Sequence, residues 1–319
     1  MKLKRIFIIC FLWIFTTNVI AQETTTEAPQ VASYVSFTYD NDFFNATDRY
    51  YTQGIRLEFS FPFLKKSPVS KLLIPFQQDP FQQYGIALQQ DCFTPPSIRR
   101  DTIQTGERPF SGVVFLSHFL TSTQPQQRRK LITQLDIGII GPCAKCKEEQ
   151  EGIHNWLDNI EPLGWEFQLA NDLVLNYSLQ LEKGLWSKKH IELVGYTGFR
   201  VGTLYDDATV GTFLRAGWMK PYFENAKQVN KNFQFYTTLN ANVRAVGYNA
   251  TLQGGLFNPN DIYTLQSKDV NRAVVTTSIG LAMAYKKVAL EFERVFITPE
   301  SKGRGLHHGW GHINIKVGI

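Results

Sequence analysis

The run Tyr39-Asp40-Asn41-Asp42-Phe43-Phe44-Asn45-Ala46-Thr47-Asp48-Arg49-Tyr50-Tyr51-Thr52-Gln53-Gly54 concentrates side chains that can do chemistry. Asp40, Asn41, Asp42, Asn45 and Asp48 are hard oxygen ligands of the kind that Ca²⁺ gathers roughly six to eight at a time. The run is not an EF-hand, because the sixth-position glycine and the closing glutamate are missing. Taken alone it also reads as a polar turn whose Asx side chains cap their own backbone. A second stretch, Gly106-Glu107-Arg108-Pro109-Phe110-Ser111-Gly112, offers Arg108, although an arginine before proline is commonly a solvated loop residue. A third contains Gln150, His154, Trp156, Glu161, Trp165, Glu166 and Gln168. Neutral imidazole is the usual general base near pH 7, yet a loop histidine beside a tryptophan is by itself more often structural. Cys143-Ala-Lys-Cys146 has the spacing of a redox pair or half a zinc site. It lacks the further ligands and the strand-to-helix context those need, so a local loop disulfide or inert thiols are expected.

These stretches must be held by strands. Residues 233–246 alternate, with Phe233, Phe235, Leu239, Ala241, Val243 and Ala245 on one face and Gln234, Tyr236, Thr238, Asn240, Asn242 and Arg244 on the other. Similar segments run 33–40, 51–61, 83–93, 110–120, 130–141, 172–184, 190–202, 207–218, 272–285, 287–297 and 308–318, twelve in all. Residues 145–157 break the alternation and have helical composition.

Alternation fits both a soluble sandwich and an outer-membrane barrel, which face their apolar sides in opposite directions. Strands of about ten residues, an even strand count and aromatics near strand ends favour the barrel. Lys2, Lys4 and Arg5 before an apolar run ending at Ala21 read as a signal peptide over residues 1–21, followed by a polar linker over 22–32 and a barrel domain over 33–319. Removing that peptide lowers the net charge from +5 to +2, which gives no electrostatic case for nucleic acid. The mean hydropathy of −0.20 excludes a polytopic helical membrane protein. With both termini periplasmic, the connections 41–50, 94–109, 142–171, 203–206, 247–271 and 298–307 face outward. The turns 62–82, 121–129, 185–189, 219–232 and 285–286 face inward.

The combination of Asn-Asp-x-Phe-x-x-Thr-Asp-x-Tyr-Tyr-Thr-x-Gly over residues 41–54, Arg-Pro-aromatic-small-Gly over 108–112, and Gly-x-x-Gly-Pro over 138–142 leading to Gln150, His154, Pro162, Gly164, Trp165 and Gln168 resembles the outer-membrane lipid A 3′-O-deacylases. The motifs span roughly the first half of the mature chain. Phe110-Ser111-Gly112 stands where the family has aromatic-Ala-Gly, Gln53 stands where Asn is common, and the Cys143/Cys146 pair is outside the family pattern. The resemblance implies an all-β, transmembrane antiparallel β-barrel of twelve strands with a short helix in an extracellular loop. It further implies a monomer in a Gram-negative outer membrane, among outer-membrane lipids, with its loops at the cell surface. The expected activity is Ca²⁺-dependent hydrolysis of the 3′-linked acyloxyacyl ester of lipopolysaccharide.

In that reading His154, Asn41, Asp42, Thr52 and Arg108 are catalytic, and Arg108, Trp156 and Trp165 bind substrate or pack at the bilayer interface. Asn41, Asp42 and Glu161 would hold the metal. Arg99, Arg100, Glu107 and Glu166 are candidates for a further basic or acidic site residue. Two rivals differ in class: an outer-membrane esterase with Ser111 or Ser117 as nucleophile, and a non-catalytic barrel acting as pore or surface-binding protein.

Overall fold

The computed structural model describes residues 33–45, 47–77, 81–224, 230–303 and 305–319. The expected signal peptide and all of the expected linker lie outside the described residues. The strands are β1 (Tyr34–Asn41), β2 (Tyr50–Ser60), β3 (Phe81–Thr94), β4 (Ser111–Gln124), β5 (Arg129–Ile140), β6 (Asp172–Lys188), β7 (Ile191–Gly202), β8 (Tyr205–Trp218), β9 (Asn230–Asn249), β10 (Ala273–Lys286), β11 (Val288–Ile297) and β12 (His308–Gly318). Each pairs antiparallel with its sequence neighbours, and β1 pairs with β12 from Tyr34↔Gly318 to Asn41↔Gly311, closing the barrel. All twelve expected strands are present. Among the described residues no helix is long and apolar enough to cross a membrane.

The apolar face of each strand points outward. Leu239 and Val243 are each 46% exposed, whereas Asn240 turns into the lumen and accepts from the Tyr196 hydroxyl at 3.0 Å. Leu88, Leu116, Ile137, Leu175, Phe199 and Ile279 are likewise exposed on the outer wall, an arrangement stable only against lipid. Inside, polar contacts tie non-adjacent strands across the lumen: Arg56 on β2 to Gln134 on β5, Tyr196 on β7 to Asn240 on β9, and Thr238 on β9 to Glu293 on β11.

One rim carries the long connections, including helix α1 (Cys146–Trp156) and the short helix α2 (Ala250–Gln253). The opposite rim departs from expectation among the described residues, and residues 225–229 of the expected 219–232 turn lie outside them. The 185–189 turn is shorter, because β6 continues past a bulge near Gly184 and pairs with β7 up to Lys188↔Ile191. The 62–82 segment is more than a turn. Its 3-10 turns (Pro62–Lys66 and Pro68–Leu72) fold back over the outer wall, where Leu64 and Leu73 pack on Tyr84, Leu120, Leu135 and Tyr177.

Cysteine replacements read the facing directly. At Leu239 and Val243 they should react with a lipid-soluble thiol probe and at Asn240 and Asn242 they should not; the reverse pattern would mean an apolar interior.

Candidate active site

Side-chain alternation places the candidate site on the outside of the barrel. On β1, Tyr39 and Asn41 share the face of lipid-exposed Phe37; on β3, Cys92 shares the face of exposed Leu88. Tyr39, Asn41 and Cys92 line a cavity of about 810 Å³ together with Asp42, Phe43, Phe44, Asp48, Thr52, Gln53, Arg99, Glu149, Gln150, His154 and Trp156. Its two sides are the barrel wall at the loop-bearing rim and helix α1.

A β-bulge builds the wall side. Tyr51 pairs with Phe93 and Gln53 with Cys92, so Thr52 is an extra residue in β2. Tyr51 therefore turns into the lumen, where its hydroxyl meets Asp40 and Asp91, while Thr52 and Gln53 both reach the outer cavity. The Thr52 hydroxyl bridges Asp42 Oδ1 at 3.2 Å and Asp48 Oδ1 at 2.9 Å. Asp42 Oδ2 also accepts from Thr47 Oγ1 and from the Arg49 backbone N–H, which fixes the loop on itself.

The helix side is fastened to the wall. A disulfide joins Cys92 on β3 to Cys146 at the start of α1, and Gln90 donates to Ala144 O. Gly112 faces the same junction, where a Cβ would stand 2.8 Å from Cys146 Sγ. Four residues apart on the helix, Gln150 and His154 both project toward the first loop. Gln150 accepts from buried Trp165 Nε1 and donates to Asp48 Oδ1, each at 2.7 Å. His154 Nδ1 donates to Ile160 O, which fixes that tautomer and leaves the Nε2 lone pair facing Asp48 Oδ2 at 3.0 Å. Two acceptors at this distance attract only when a proton lies between them, so the contact is a place where a proton can be received.

The carboxylates here are short of positive charge. Burial pushes the Asp42 carboxyl up to about 7, against the bonds from Arg49 and Thr47, and neighbouring Asp48 adds to the rise. Burial also raises Asp48 and Glu149. Glu149 Oε1 takes Gln53 Nε2, and its Oε2 is buried with no hydrogen-bond partner among the described residues. Among the described residues no three His, Cys, Asp or Glu side chains stand ready as a metal cage. The unpartnered Glu149 oxygen, with Asp42 and the Asn41 carbonyl, is nonetheless a hard-oxygen set that a Ca²⁺ ion would suit, since Ca²⁺ also takes amide and backbone oxygens.

The model of the family described as "Outer membrane protein LpxR" matches residues 6–319. The chain belongs to the LpxR family. It is the lipid A 3′-O-deacylase family that the three loop motifs resemble, and its members act on lipid A in the outer membrane. Among solved structures, LpxR from Salmonella typhimurium shares 18% identity, covers 90% of this chain and 100% of its own, and superposes with a TM-score of 0.72. The β domain of the Bordetella autotransporter BrkA covers 90% of this chain and 98% of its own at 8% identity, with a TM-score of 0.46. Among curated proteins nothing matches.

For this LpxR-family chain the structure gathers Asn41, Asp42, Thr52, His154 and Trp156 at one cavity. It separates the others. Arg108 is 2% exposed and committed elsewhere, to Thr251 Oγ1 at 3.0 Å, to Glu300 at 2.7 Å and to the Phe93 ring at 4.4 Å. Burial alone would raise the Glu300 carboxyl; the Arg108 and Arg244 guanidiniums outweigh it and hold it low. The Arg-Pro motif thus braces the loop rim, and the arginines that line the cavity are Arg49 and Arg99. Trp165 is 1% exposed against Phe110, so it positions Gln150 and does not reach the bilayer interface. Glu161 is exposed and outside the cavity lining, because the chain turns away after Ile160. Ser111 donates to Thr251 O and Ser117 to Asp136, each fully buried, and neither lines the cavity.

Sequence reasoning missed the role of Asp48 beside His154 and the pairing of Cys92. Asp48 is one hard ligand among several in the sequence, and a local loop disulfide or inert thiols are expected of Cys143 and Cys146; Cys146 instead pairs with Cys92, and Cys143 is free and exposed. The odd third cysteine of the mature chain was the available signal. The bridge closes a span of 54 residues, which corresponds to about 2–4 kcal/mol. Cys92→Ser should speed tryptic cleavage at Lys147 and lower lipid A ester release by about tenfold, while the heat-modifiable gel mobility of the barrel persists. Unchanged cleavage would show that the disulfide does not hold the helix.

Proposed function

We propose that this chain hydrolyses the 3′-linked acyloxyacyl ester of lipid A, with water as the attacking group and the His154–Asp48 pair as its base. The observation that carries this reading is the pair's position in a cavity on the lipid-facing wall, where an acylated substrate arrives sideways from the leaflet. Phe43, Trp156 and Leu157 are exposed at the cavity and offer apolar contact to acyl chains, and Arg99 offers a guanidinium to a lipid A phosphate. The loop-bearing rim then faces the lipopolysaccharide leaflet.

In the deprotonated pair, Nε2 and Oδ2 repel each other, so a proton taken from water relieves the contact. Attack of that water on the ester carbonyl gives a tetrahedral oxyanion, and its collapse returns the proton to the sugar oxygen that leaves. Thr52 and Gln150 hold Asp48 in place, and Ile160 O holds the imidazole. Asn41, Asp42 and Glu149 would hold Ca²⁺, which when bound supplies positive charge for the carbonyl oxygen. No serine nucleophile is needed.

His154→Gln keeps the size and hydrogen bonding of the side chain but accepts no proton near neutral pH. Ester release measured by mass spectrometry of lipid A should fall about a hundredfold to ten-thousandfold with barrel mobility intact. Asp48→Asn should show a similar fall in kcat with KM little changed. Wild-type turnover in the Gln variant would remove His154 from the chemistry.

Calcium affinity should depend on pH with a definite sign. Asp42 holds its proton up to about pH 7, and the metal competes with that proton. Calorimetric titration should show affinity falling as pH drops through 7, by roughly tenfold per unit below it, and a flatter profile in Asp42→Asn. Full activity in excess EGTA would take the metal out of the mechanism.

A further inference from the structure

The segment of residues 61–77 lies outside the barrel at the rim opposite the active site. It crosses four strands: Ser70 meets His118 of β4 at 2.7 Å, Thr133 of β5 donates to Ile74 O, Tyr177 of β6 donates to Leu72 O, and Leu73 packs on Tyr84 of β3. Its inner side is thereby used by the wall. Its outer side presents Phe63, Leu72 and Ile74, all more than half exposed, together with exposed Lys65, Lys66 and Lys71.

Two constraints fix the surroundings of this strap. Irregular backbone is not stable against hydrocarbon, so the strap lies at headgroup depth, with its apolar side chains reaching toward the acyl chains. Residues 61–77 contain three lysines and no Asp or Glu, so a positive field faces whatever headgroups lie there. On β5, Arg129 stacks on Phe76 at 4.6 Å and adds a further guanidinium beside the strap.

We propose that this strap is a docking surface for anionic phospholipid, with the lysines taking the lipid phosphodiester and Phe63 and Leu72 entering the acyl region. The assignment to the leaflet opposite lipopolysaccharide rests on the function proposed above; the lipid selectivity itself does not. The occupant is a lipid because the apolar and basic groups alternate along a band that only an interface wets on both sides.

The test uses the full-length folded chain in phosphatidylcholine vesicles with spin-labelled phosphatidylglycerol or spin-labelled phosphatidylcholine. Electron paramagnetic resonance then gives the motionally restricted fraction of each. Wild type should restrict phosphatidylglycerol several-fold more than phosphatidylcholine, and K65Q/K66Q/K71Q should bring the two within about 1.5-fold. Salt at about 1 M, where screening acts within about 3 Å, should do the same to wild type and gives a readout independent of any effect on folding. Equal restriction of the two lipids by wild type, or a selectivity that survives both the substitutions and the salt, would overturn the proposal. Lipid A is absent from these vesicles, so failure here leaves the hydrolase reading intact. Conversely, loss of the hydrolase reading through His154→Gln leaves the lipid selectivity standing.

Discussion

A chain that crosses lipid as strands must satisfy every backbone N–H and C=O within itself, and the pairing of β1 with β12 is what completes that account. Closure divides the side chains into two populations. Those facing outward have to be apolar along the bilayer, and those facing inward can be polar because they meet one another across the lumen, as Arg56 meets Gln134 and Thr238 meets Glu293. Polar side chains on the outer wall are therefore tolerable only near a rim, under the cover of something else. Helix α1 is that cover, and the Cys92–Cys146 bridge fastens it to β3.

Once covered, the polar groups are strained electrostatically in a useful direction. Asp42, Asp48 and Glu149 are all raised by burial. Burial without a nearby cation favours the protonated carboxyl, so the site would gain from whatever brings positive charge, as the proposed proton transfer and the proposed divalent ion both do. The bulge at Thr52 is the backbone device behind this, since regular alternation would have turned one of Thr52 and Gln53 into the lumen.

The barrel was legible in the sequence because alternation is a local property repeated twelve times, and the helix because residues 145–157 break it. The site was legible as motifs but not as geometry. Asp48 sits in the same motif as Asp42, yet only the helix crossing above it makes it the partner of His154. Arg108 carried the right chemistry for phosphate and belongs to an ion-pair brace with Glu300 and Arg244, a contact across 192 residues that no local pattern encodes. Trp165 and Glu161 failed for the same reason: exposure is set by tertiary packing. The strap over residues 61–77 was hidden because a proline-punctuated apolar stretch between strands reads as a turn.

We propose that lipid substrate meets the His154–Asp48 pair on the outer wall and not in the lumen. It is tested most directly by photocrosslinking with a lipid A analogue carrying a photoreactive group on the 3′-linked acyl chain, followed by peptide mapping. Adducts are expected on Phe43, Ile153 or Trp156 at the cavity. Adducts confined to lumen residues such as Arg56 or Lys130 would contradict it.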